Sequence, residues 1–113
     1  MTSPMNGPRV NLVVSLWLKT DDVAAFESFE REAARVIAKH GGRIDQVVRR
    51  ADSERADGPF EVHVVSFPSW SAFDAYRGDS AFKALLPQRE RLIARTEIWR
   101  GEPREAYEVP SQS

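Results

Sequence analysis

The chain has 113 residues, 16 basic and 17 acidic side chains, a net charge of −1 and no cysteine. A single domain of that size buries roughly two thirds of its unfolded surface without staples. The near-neutral balance gives no electrostatic reason for nucleic-acid binding, and the missing thiols exclude a disulfide framework and thiolate zinc sites.

Residues 1–9 contain two prolines and one glycine and show no period, as expected of a loose arm. They lack the basic start and apolar run of a signal peptide, and no apolar stretch reaches the ~18 residues of a membrane span. A cytoplasmic protein without a membrane contact is expected. Residues 10–18 alternate with a strand period. Leu12, Val14, Leu16 and Leu18 form an aliphatic face, which should pack on helices. Asn11, Val13, Ser15 and Trp17 form a mixed face, which should look into whatever covers the open side.

Residues 22–40 follow a helical period, with Asp21 or Asp22 as the cap and Phe26, Phe29, Ala33, Val36, Ile37 and His40 as one apolar stripe. Glu27, Glu30, Arg31, Glu32, Arg35 and Lys39 are expected on the other side. Gly41-Gly42 ends the helix, the first glycine fitting a left-handed position. Strands are expected over residues 43–50 and 60–67, joined by a charged loop. Pro68 ends the second of these, and Ser69 caps a second helical region over residues 69–94. Gly78 and Pro87 interrupt that region. Phe82, Leu85, Leu86, Leu92 and Ile93 make its later apolar side. A short strand over residues 96–100 and a polar tail over 102–113 complete the chain. The order β-α-β-β-α-β is the ferredoxin-like α+β unit, an antiparallel sheet with helices on one face. The domain spans residues 10–101.

Several short motifs fall in a telling order. Asp22-Val23-Ala24-Ala25-Phe26-Glu27-Ser28-Phe29 opens the first helix, and Lys39-His40-Gly41-Gly42-Arg43 closes it. Ser66-Phe67-Pro68-Ser69 ends the third strand, and residues 79–89 end in Pro87-Gln88-Arg89. Together they resemble the domain of unknown function 1330 family of the dimeric α+β barrel superfamily. The resemblance implies a homodimer whose sheets close a barrel-like cavity. It implies no agreed reaction; the superfamily includes cofactor-free monooxygenases, isomerases, haem-degrading enzymes and ligand-sensing domains. Ser66 stands where the family carries a carboxylate, and His40 replaces an aromatic, so no carboxylate role is carried over to that strand end.

His63 is the catalytic candidate, because a neutral imidazole takes a proton near physiological pH. Its face is open at this level. If Phe67 packs under the helices, Val65, His63 and Glu61 share that side. In the opposite register His63 joins Ser15 and Trp17. Ligand-binding candidates are Asn11, Ser15, Trp17 and Trp99 as walls of a cavity, and Trp70 and Tyr76 from the interrupted helical region. Arg43 and Arg89 are the candidate partners of a bound acid, Arg89 falling on the family's motif arginine. A pocket is expected within the dimer cavity, or between the sheet and residues 70–82, with Trp17 at its wall. Two histidines far apart and no nucleotide loop point to no metal and no cofactor. The expected function is binding of a small, partly apolar metabolite, with cofactor-free oxygenation or isomerisation as the chemistry. A non-catalytic ligand-binding or dimeric scaffold module is the alternative.

Overall fold

The computed structural model describes residues 9–51 and 57–110. The elements run β1 (Val10–Leu18), α1 (Val23–Lys39), β2 (Arg43–Arg49), β3 (Glu61–Phe67), α2 (Trp70–Gly78), α3 (Ser80–Ala84), α4 (Leu86–Leu92) and β4 (Ile93–Gly101). The sheet order is β2-β3-β1-β4, with antiparallel neighbours throughout. This is the ferredoxin-like α+β fold. All of the expected arm (residues 1–9) except Arg9, the loop core (52–56) and the last tail residues (111–113) lie outside the described residues. Residues 102–110 form no helix or strand.

Local chemistry sets the element ends. Asp22 caps α1 by accepting the Ala25 amide at 3.0 Å. At the other end Gly41 takes φ +76°, and the Gly41 and Gly42 amides return to the carbonyls of Ala38 and Ile37. Gly42 is pressed against the core. A Cβ there would lie 2.6 Å from Ile37 Cγ2 and 2.7 Å from Phe67 Cε1.

The second helical region is three short helices rather than one kinked helix. Ser69 caps α2 and Asp79 caps α3 through their side chains, and Pro87 sits in the first turn of α4, where its missing donor costs nothing. Ile93 belongs to β4, not to the helix. It lies across from Leu18 beside a register shift in the β1–β4 pairing, and strand four is therefore longer than its alternation suggests.

Register decides which side chains meet the helices. Val14 lies opposite His63, Leu12 opposite Val65 and Leu16 opposite Glu61. Leu12 and Leu16 are buried beneath the helices, so Glu61, His63, Val65 and Phe67 face them too. An irregularity between Ile44 and Gln46 inserts one residue into β2. The insertion brings Arg49 opposite Glu61 and onto the helix side.

The core divides into two clusters. Leu12, Ile37, Val65, Phe67 and Phe73 form one. Leu16, Phe26, Phe29, Leu92 and Ile93 form the other. Val14 touches both, and its cross-strand partner His63 lies at the same level, so the middle of the helix-facing sheet is where the packing opens. Among the described residues no helix is long and apolar enough to cross a membrane.

Candidate functional site

A cavity of about 390 Å³ lies between the sheet and the helices, where the two clusters part. Its floor includes Val14, His63 and Val65. Its walls carry Phe67, Phe73, Tyr76 and Phe82, and its polar groups are Glu30, Arg77, Arg89 and Arg100. A cavity of this size with mostly apolar walls and a few convergent polar groups suits a small-molecule ligand.

His63 is 4% exposed and held from two sides. Its Nε2 lies 2.8 Å from Glu61 Oε1, and its Nδ1 lies 3.5 Å from Glu30 Oε1. Glu61 is itself buried and anchored. Arg49 Nε donates to Glu61 Oε2 at 2.6 Å, and Arg49 also pairs with Glu27 at 3.0 Å. With Glu61 as the acceptor, the neutral ring carries its proton on Nε2 and its lone pair on Nδ1. The lone pair therefore points toward Glu30. Burial pushes the Glu30 carboxyl above its ordinary range, against the pull of His63 and Arg89 and with a contribution from Glu61.

The opposite wall is less basic. Burial pushes the Tyr76 phenol up to about 12, with Arg89 opposing, so it is a neutral donor across the physiological range. Arg89 donates to Thr96 Oγ1 at 2.7 Å. Asp79 lies behind Tyr76, outside the cavity. It accepts from His40 Nε2 at 2.7 Å, and that bond, the Ala81 amide and Lys39 hold its carboxyl well below the usual carboxylate range. His40 is therefore a tie between the end of α1 and the start of α3.

The structure gathers some of the candidates and separates others. His63, Tyr76 and Arg89 line the cavity. Asn11, Ser15, Trp17 and Trp99 do not. Their register places them on the open face of the sheet, the side away from His63. Of the two expected locations for a pocket with Trp17 at its wall, this register rules out the one between sheet and helices and leaves Trp17 on the side of the expected dimer cavity. Trp17 lines a smaller depression of about 270 Å³ with Arg50 and Phe60, where its Nε1 donates to the Asp57 carbonyl at 3.1 Å and Arg95 covers its ring. At the other end of β1, Asn11 Oδ1 is buried without a hydrogen-bond partner among the described residues. Trp99 is 60% exposed. Arg43 is exposed and lies 3.4 Å from Asp45. Trp70 packs on Phe73 beneath Arg100, outside the cavity wall.

Sequence reasoning missed Glu30, Glu61, Arg77 and Arg100; Arg49, which by residue type could bind an anion, is instead engaged by Glu61 and Glu27. Glu30 was placed on the solvated side of α1. It lies four residues after Phe26, and that spacing returns it to the buried face. Glu61 was recoverable from the period of two that it shares with His63. Among the described residues no group of three or more His, Cys, Asp or Glu side chains could hold a metal ion.

Comparison with known proteins places the fold. The protein of unknown function RPA0582 from Rhodopseudomonas palustris shares 15% identity over 88% of this chain and 85% of its own, with a TM-score of 0.72. SnoaB, a cofactor-independent oxygenase from Streptomyces nogalater, shares 18% identity over 88% of this chain and 97% of its own, with a TM-score of 0.68. A dabb family protein with a ferredoxin-like fold from Mesorhizobium loti shares 14% over 88% and 100%, with a TM-score of 0.65. At such identities the likeness is one of fold. A search of curated protein sequences returned no match. The family model described as Domain of unknown function (DUF1330) matches residues 12–99, and the chain belongs to that family.

Proposed function

We propose that the cavity binds a small, partly apolar molecule and that His63, with Glu30, takes a proton from it without a bound cofactor. This is the opening step of a cofactor-free oxygenation or isomerisation, since a stabilised carbanion reacts onward with dioxygen or is reprotonated elsewhere. The observation that carries the reading is the buried Glu61–His63–Glu30 arrangement on the floor of the cavity. Glu61 fixes the ring and its tautomer, the Nδ1 lone pair faces Glu30, and the mostly apolar walls limit competing water at the floor. Tyr76 and Arg89 supply a neutral and a charged donor for the developing oxyanion. The fold is shared with a cofactor-independent oxygenase, which supports the class of chemistry and no particular residue.

The test is solvent deuterium exchange at C1 of 2-tetralone, a bicyclic ketone with an acidic C–H, followed by NMR at neutral pH. The expected result is exchange above the buffer rate, reduced about 10²-fold or more in His63→Gln. Binding of the ketone without accelerated exchange would favour the alternative, a non-catalytic binding or scaffold module. The protein acts, in the same reading, as a homodimer joined through the open sheet face. Val48 and Trp99 are exposed on that face beside half-buried Val13, Val62 and Val64, which supports a second copy as the cover.

A further inference from the structure

The mouth of the cavity carries two arginines that nothing neutralises among the described residues. Arg77 comes from the last turn of α2, and Arg100 from β4, opposite Leu12 and so on the helix side of the sheet. Both line the cavity and both are exposed. Each is parked on aromatic rings. Arg77 Cζ lies 5.6 Å from the Phe73 centroid, Arg100 Cζ lies 5.7 Å from the same centroid, and Arg100 also lies 4.7 Å from the Trp70 ring. A guanidinium on a ring face is held in place and weakly hydrated, yet its N–H edge is free to meet an anion. Neither residue forms a hydrogen bond or ion pair with another described residue. Arg89, deeper in, differs. It is engaged by the Thr96 hydroxyl and its charge bears on Glu30.

The cavity is therefore polarised. Its floor presents the proton acceptors His63 and Glu30, and its mouth presents two cations on one shared ring. Between them Phe67, Phe73, Tyr76 and Phe82 form a chain of ring contacts with centroids 4.9–6.2 Å apart. Walls of this kind favour a flat ligand. We propose that Arg77 and Arg100 form an anion clamp, and that the ligand is an aromatic acid whose carboxylate sits at the mouth while its proton-donating end reaches His63. This deepens the reading above and rests on the cavity being the ligand site. The clamp binds and orients; it takes no part in the proton transfer.

The experiment is calorimetric titration at low salt with benzoate, 2-naphthoate and anthracene-2-carboxylate, each against its primary carboxamide. The protein is used as wild type, as Arg77→Gln/Arg100→Gln and as Arg77→Lys/Arg100→Lys. The best acid should bind wild type at least about tenfold more tightly than its amide, a difference of ~1.4 kcal/mol. The glutamine pair should bring the acid down to the level of the amide and leave the amide unchanged. The lysine pair should retain part of the preference, and added salt should weaken the acid alone. Acids no tighter than their amides, a preference that survives the glutamine pair, or no binding of any compound at millimolar concentration overturns the clamp. Deuterium exchange of uncharged 2-tetralone separates the two readings. Exchange with no acid preference removes the clamp and leaves the base, whereas acid preference with no exchange does the reverse.

Discussion

His63 owes its geometry to Glu61, and Glu61 owes its own to Arg49. This gives each residue a distinguishable part. Glu61→Gln removes the negative acceptor and lets the ring rotate or change tautomer. In the proposed reaction, exchange of 2-tetralone should fall about 10²-fold or more with little change in affinity, and Glu61→Asp should restore part of it. Equal exchange in Glu61→Gln and wild type would remove Glu61 from the positioning role. Glu30 is read differently. Its folded-state affinity for a proton is raised by burial, so folding favours the protonated form. Its contribution to stability is fully present below the unfolded carboxylate value of 4.5 and is lost as pH rises through the higher folded value. Glu30→Gln should therefore raise the urea midpoint near pH 8, and the gain should fade below pH 4.5. A constant difference across pH, measured by urea denaturation at each value, would contradict that sign. At this scale the sequence was only partly legible. The residue type of His63 marked it as chemistry, but its face turned on register, because β3 carries valines on both faces. Glu30 and Glu61 were hidden by the ordinary expectation that carboxylates sit in water.

The helices and strands were far more legible than the side-chain constellation, because periodicity and capping act locally. The stripe of α1 reads directly into burial: Phe26 and Phe29 are 0% and 2% exposed. Phe26→Ala or Phe29→Ala should each cost about 3–5 kcal/mol through lost burial and the space left behind. Chemical denaturation showing less than ~1 kcal/mol for both would mean that α1 does not pack through this face. The two glycines after α1 test a different link. Gly42→Ala drives a methyl into Ile37 and Phe67, and such overpacking should cost about 1–3 kcal/mol. Gly41→Ala meets Pro68 and must hold a left-handed backbone, which should cost about 1–2 kcal/mol. Thermal melts that leave either variant level with wild type would show that the turn can rearrange. Less legible was the junction of α4 and β4. Ile93 suits the helical stripe and the strand equally, and only pairing with β1 decides between them. The inserted residue in β2 was likewise invisible, although it is what places Arg49 against Glu61.

At the scale of the whole molecule, the two faces of the sheet divide the labour. The helix face holds both core clusters and the cavity, whereas the open face collects Val13, Trp17, Val48, Val62, Val64 and Trp99. The alternation in β1 already announced this division. It did not say which side held the cavity, because an open face with an amide, a hydroxyl and an indole looks as much like a binding wall as a subunit contact. A second copy across this face would remove Trp99 and the valines from water. A stable contact of this type buries more than about 1,000 Å² in total. Light scattering at micromolar concentration should therefore give twice the 12.8 kDa chain mass. Val64→Asp with Trp99→Glu should place charge at the centre of the contact and return the mass to that of one chain. Neither residue lines the cavity, so the variant also asks whether the ligand site is complete within one subunit. A monomeric wild type would remove the dimer. A double variant that stays dimeric would place the contact elsewhere, with the open face solvated.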